Sequence, residues 1–141
     1  MTNPMTPEQT RRQVVDAATD VTHLIGKPIE SAYFWHESCS DGDQGPFRGA
    51  ARISYQPPAE PHAAAAAFDD MTQRLRNGGW AADSDFKSHA LTLKKGGVNA
   101  SLSPADASVP LASVMLYGEC RDTTTTKATK GNIETLQLPI N

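Results

Sequence analysis

The chain has 141 residues and a formal charge of −3, with 13 Lys and Arg against 16 Asp and Glu. At 38% hydrophobic and 21% charged residues it is too apolar for disorder throughout and too polar for a membrane-embedded protein, and its length suits one domain. The acidic balance excludes a nucleic-acid binder that works by charge alone, and no run approaches the roughly 20 apolar residues that cross a bilayer.

Thr6-Pro7-Glu8-Gln9 supplies an N-cap, a proline at the first helical position and a Gln three residues after the cap. Val14, Ala18, Val21 and Ile25 then recur at spacings that put them on one face of a helix. Gly26 ends it and Pro28 prevents a restart. Ile29 to Cys39, rich in Ala, Tyr, Phe and Trp, reads as a strand, and Ser40 to Pro46 reads as a loop. From Phe47 to Tyr55 the chain alternates: Phe47, Gly49, Ala51, Ile53 and Tyr55 face one way, Arg48, Ala50, Arg52 and Ser54 the other. The two strands are expected to form an antiparallel hairpin across the acidic loop.

Gln56 to Pro61 is a stiff, extended connector. A second helix is expected from Pro61 to Asn77, with Ala64, Phe68, Met71 and Leu75 on one stripe and Gly78-Gly79 as its stop. Asp70 and Arg74 can pair along it. Lys87 to Lys95 alternates with His89, Leu91 and Leu93 on one face, Gly96-Gly97 signals a hairpin, and Val98, Ala100 and Leu102 alternate on the return. Leu111 to Glu119 is the last strand, apolar on both faces at Val114-Met115-Leu116, as in a central strand. The order is α-β-β-α-β-β-β. It predicts an α+β fold: an antiparallel sheet with two helices packed on one face. Residues 1–122 form a single domain in this reading. Residues 123–141 form an extended or flexible tail, with Ile133 to Ile140 docking as an extended segment.

Two cysteines, Cys39 and Cys120, each follow a strand-like run. Neither belongs to a CxxC pair, and His23, His36, His62 and His89 are too scattered for a zinc site. An even count at two strand ends favours a disulfide closing a loop of about 80 residues, worth about 4 to 4.5 kcal/mol in the chain-entropy picture. It would place the chain in an oxidising compartment. Two buried free thiols in a cytosolic domain are the alternative. The polar N-terminus, Met1 to Gln9, carries no signal pattern; the protein is either cytosolic or has lost a signal.

An amphipathic first helix, a strand leading to Cys39, a second helix ending in Leu75 to Gly78-Gly79-Trp80, a Leu-x-Leu-x-x-Gly-Gly hairpin and a last strand ending in Gly118-Glu119-Cys120 together resemble the LppA-like small cell-envelope lipoproteins of mycobacteria, over residues 8 to 122. The resemblance implies an exported protein carrying a lipid-modified cysteine at its mature N-terminus. It supports the fold, the disulfide and the compartment, and brings no catalytic residues. The chain departs from the pattern at its start, where no apolar segment followed by Cys precedes Thr6. The resemblance then implies either a lipid anchor outside this chain or a member that has none, and any membrane link is expected only through such an anchor.

Other candidate chemistry is sparse. Asp41 and Asp43 could offer carboxylates to calcium, but the EF-hand pattern is missing and a solvated turn is the simpler reading. His36 and His89 lack a nucleophile motif such as Gly-x-Ser-x-Gly, and a disulfide-bound cysteine cannot attack. Lys95-Gly96-Gly97 is a hairpin turn, not a phosphate loop. Tyr33, Phe34, Trp35 and Trp80 are expected to pack on the sheet. Arg48 and Arg52 share a strand face and, with Lys87, Lys94 and Lys95, form a basic patch or an ordinary solvated face.

The expectation is a non-enzymatic, extracytoplasmic lipoprotein-like module of the cell envelope, monomeric, without cofactor, metal or nucleic acid. It would contact an unknown protein or envelope ligand through Trp35, Arg48 and Arg52 on the sheet face that two helices leave open. The competing reading is a small cytosolic or phage-encoded regulatory protein with free thiols.

Overall fold

Thr6 starts the first helix as its residue type dictates. Its hydroxyl accepts the Gln9 N–H at 3.1 Å, and the Gln9 side chain accepts the Thr6 N–H at 2.9 Å, a reciprocal cap that satisfies two otherwise unpaired donors. In the computed structural model, which describes residues 3–40, 44–82, 91–106, 108–125 and 132–138, helix α1 spans Pro7–Ile25. It ends at Gly26, whose φ of 66° is a left-handed cap that glycine adopts without strain. Thr10, Val14, Ala18, Val21, Thr22 and Ile25 form its buried stripe.

Strands β1 (Ser31–Ser38) and β2 (Phe47–Tyr55) pair antiparallel, from Ser31 opposite Ser54 to Ser38 opposite Phe47. Helix α2 (Pro61–Asn77) begins at Glu60, whose carboxylate accepts the N–H groups of His62 and Ala63. Asp70 and Arg74 pair along it at 2.9 Å. After Trp80 come β3 (Ala81–Ala82), β4 (Leu91–Lys95), β5 (Val98–Ser103) and β6 (Ala112–Tyr117). The β4–β5 hairpin turns on Gly96 and Gly97, at φ 58° and 81°, where paired positive φ values match the strand twist. A short β7 (Glu134–Thr135) completes an antiparallel sheet of order β3-β4-β5-β6-β2-β1-β7. The fold is therefore α+β, and β6 is a central strand. Of the strand expected over Lys87 to Lys95, only the part from Leu91 lies within the described residues.

Helix α1 lies across β2, with further contacts to β1, β5 and β6, and α2 packs beside it. The close approach is possible because two glycines sit beneath the helix. A Cβ on Gly49 would come within 2.9 Å of Phe34 and 3.1 Å of Val14, and one on Gly118 within 2.9 Å of Val14. Phe34, Ile53, Leu93, Leu102, Val114 and Leu116 fill the core from the sheet side, and Met71 and Leu75 from α2. Trp80, only 1% exposed, donates its indole N–H to Asp20 on α1 at 3.0 Å, so its polar edge is paired inside the core.

Cys39 and Cys120 form a disulfide with an S–S distance of 2.09 Å and Cα atoms 6.1 Å apart. It joins the segments that follow β1 and β6, the two strands flanking β2. Within this C-terminal part, residues 122–125 and 132–138 make their own contacts with the domain. The Asp122 backbone exchanges hydrogen bonds with Phe47, Thr125 is buried, Glu134 pairs with Arg11 at 2.5 Å, and Leu136 donates its N–H to Ala32 at 2.8 Å while burying its side chain. Two strand residues suffice here because one of them, Glu134, is ion-paired and the next residue, Leu136, is an apolar anchor.

Candidate functional site: the helix-free sheet face

Alternation along β1 sends Ala32 and Phe34 toward α1 and Tyr33, Trp35 and Glu37 to the opposite face. The pairing register carries that face across the sheet. Tyr33 stands opposite Arg52, Trp35 opposite Ala50 and Glu37 opposite Arg48; beyond them Ala50 meets Tyr117 and Arg52 meets Met115. Lys94, opposite Asn99, lies on the same side. Neither helix packs there.

The three residues expected to make partner contacts, Trp35, Arg48 and Arg52, thus share one face, but in different states. Trp35 donates its indole N–H to Glu37 Oε1 at 2.9 Å. Arg48 binds the other Glu37 oxygen through Nε at 2.8 Å and through a terminal nitrogen at 2.7 Å. Its guanidinium also stacks 4.6 Å from the Tyr117 ring centroid. Glu37 is the residue that sequence reasoning missed: it neutralises Arg48 and orients Trp35. Its signal lay in the register, an acid two residues past Trp35 and directly across from Arg48. Burial, aided by the Glu37 charge, pushes the Tyr117 phenol upward, and Arg48 offsets part of that.

Arg52 differs. It is exposed and forms no ion pair or hydrogen bond with any described residue. It is flanked across the strands by Tyr33, itself 39% exposed, and Met115. The result is a charge-compensated aromatic cluster beside Arg52, a cation uncompensated among the described residues, with the exposed Lys94 further along the face.

The remaining candidates lie elsewhere. Lys95 turns to the α1 side and pairs with Asp20 at 2.9 Å, so it does not join a patch with Arg48 and Arg52. His36 faces α1, with Nε2 3.1 Å from the Pro7 carbonyl and its ring edge-on to Phe34. Asp41, Asp43, Lys87 and His89 lie outside the described residues. Among the described residues no three His, Cys, Asp or Glu side chains converge as metal ligands, and no helix is long and apolar enough to cross a membrane.

A disulfide-bonded α+β domain of this order agrees with an oxidising, extracytoplasmic setting. A model of the family described as "Putative lipoprotein LppJ" matches residues 6–138. The chain belongs to the LppJ lipoprotein family. It is 30% identical over 125 residues to LppJ of Mycobacterium tuberculosis, strains CDC 1551 and H37Rv, and to LppJ of Mycobacterium bovis. The matched region covers 86% of this chain and 64% of each relative, so the chain spans less than two-thirds of the length of the LppJ relatives it matches. No solved structure matches it significantly. The short motifs pointed to the LppA-like group; the family that matches is LppJ, also a mycobacterial lipoprotein family. LppJ membership extends beyond β6 through β7, to residue 138.

Proposed function

We propose that this chain is the extracytoplasmic domain of an LppJ-family envelope lipoprotein and acts without catalysis, as a binding module whose helix-free sheet face engages an anionic partner. The observation that carries this reading is Arg52, an exposed cation with no ion pair among the described residues, set between Tyr33 and Met115. Elsewhere on that face Arg48 is neutralised by Glu37, so Arg52, with the exposed Lys94 further along the sheet, is a charge available to a partner. Uncompensated surface cations beside aromatic side chains are the kind of group that interfaces use as anchors. The family and the disulfide support the compartment.

The test is capture of a defined envelope component from a mycobacterial extract by the folded, oxidised domain and by variants. Arg52→Lys should retain the captured component, and Arg52→Glu should lose it with the melting temperature unchanged. Equal capture by the wild type and Arg52→Glu would discard the surface. Recovery of the native protein in the cytosolic fraction with two reactive thiols would discard the compartment.

A further inference from the structure

On the helix side of the sheet, remote from Arg52, the β2–α2 connector, the first turns of α2 and the β5–β6 loop line a cavity of about 560 Å³. That volume is in the range of small-molecule sites. Its walls carry Pro57, Pro58 and Pro61 on one side and Pro104 and Pro110 on the other, with Phe68 contributed by α2. Proline fixes its own backbone angle, so such walls need little ordering when a ligand enters.

The polar groups are few and of one sign. Asp106 is the only charged residue among the described residues lining the cavity. One of its oxygens accepts the N–H groups of Ser108 and Val109, at 2.8 and 2.7 Å; the other bonds to no described residue. The N-terminus of α2, next to the wall, offers nothing to an anion, because Glu60 already takes the N–H groups of His62 and Ala63. Tyr55, in the same wall, is only 4% exposed, and its hydroxyl bonds to no described residue. Tyr55 lines the cavity, so its hydroxyl is a neutral polar group that a ligand there can use. Burial pushes the phenol up to about 12, which keeps it protonated and neutral.

We propose that this cavity binds a small amphipathic amine, its apolar body against the prolines and Phe68 and its ammonium group at the Asp106 carboxylate. Carboxylate or phosphate ligands are disfavoured by the same charge pattern. The inference does not depend on the Arg52 surface.

The experiment uses the oxidised full chain and three probes of one skeleton: 3-phenylpropylamine, 3-phenylpropanol and 3-phenylpropanoate. Binding is followed through the backbone amide resonances of Ala64, Ala105 and Asp106. The amine should saturate and bind at least about fivefold tighter than the carboxylate. Asp106→Asn, which keeps an oxygen for Ser108 and Val109, should bring the amine to within about twofold of the alcohol. Ala64→Leu, which fills the cavity, should weaken all three probes without loss of the folded spectrum. The proposal is overturned if no probe saturates up to about 10 mM, if the carboxylate binds as tightly as the amine, or if the amine preference survives in Asp106→Asn. If Ala64→Leu unfolds the chain, Ala65→Leu on the exposed side of the same wall replaces it; undiminished binding by a folded filling variant also overturns the proposal.

Discussion

The hydroxyl of Thr10 accepts the backbone N–H of Gly49 at 3.0 Å, in a buried contact between α1 and the middle of the sheet. The helix can descend this far only because Gly49 has no side chain. Gly49→Ala should therefore force apart Phe34, the Thr10 carbonyl and Val14, costing about 1 to 3 kcal/mol. Thr10→Val keeps the shape but orphans the buried N–H, costing about 1 to 3 kcal/mol. Urea unfolding measures both. Wild-type midpoints in the two variants would contradict the contact.

Removing the disulfide should be the most damaging single covalent change. Cys39→Ser with Cys120→Ser frees a loop whose closure is worth about 4 kcal/mol in the chain-entropy picture. The double variant, or the wild type under reductant, should show a lower urea midpoint and a lower melting temperature. Coincident curves with and without reductant would show that the bond contributes nothing to the fold.

Acid sensitivity should concentrate at Asp122. Burial pushes this carboxyl up, but hydrogen bonds from the Thr125 hydroxyl and from the Thr124 and Thr125 N–H groups outweigh that and hold it below the ordinary carboxylate range. With the folded value below the unfolded one, the stabilisation is fully present above about pH 4 and is lost as pH falls through the folded value. Asp122→Asn should lower stability at pH 7 and flatten the acid limb of the stability profile. Parallel limbs in variant and wild type would assign the acid response to other carboxylates.

The β7 segment should depend on its apolar anchor more than on its ion pair. Arg11 and Glu134 are 42% and 46% exposed, and exposed pairs are worth at most about 1 kcal/mol. Leu136 is 8% exposed, and truncating such a side chain costs about 2 kcal/mol or more. Hydrogen exchange at the Leu136 amide, which is bonded to Ala32, reports release of the segment directly. Faster exchange is expected in Leu136→Ala and little change in Glu134→Ala. The reverse order would make the ion pair the anchor.

Local rules carried much of this fold. The Thr6-Pro7-Gln9 cap, the Val14-Ala18-Val21-Ile25 stripe and the Gly96-Gly97 turn each act within a few residues, so they could be read directly from the chain. The two-cysteine argument also succeeded, because both residues follow strands. Ala81–Ala82 could not be read as a strand: two exposed alanines carry no alternation, and their pairing with Leu93 and Lys94 is tertiary. The pairing of β7 was masked by its Thr-rich surroundings. The candidate face was legible as a face, since Arg48 and Arg52 are two residues apart. The difference between those two arginines was not legible, because it depends on Glu37, which reaches Arg48 only through the β1–β2 register.

The covalent bond between Cys39 and Cys120 has a consequence for how the protein survives a hostile exterior. A protease that nicks the backbone anywhere in the interval between those residues cuts the polypeptide without releasing a piece of it. Both fragments stay tethered, with β2 still flanked by β1 and β6. Such damage would be silent on a non-reducing gel and would show as two bands only after the sulfurs are parted.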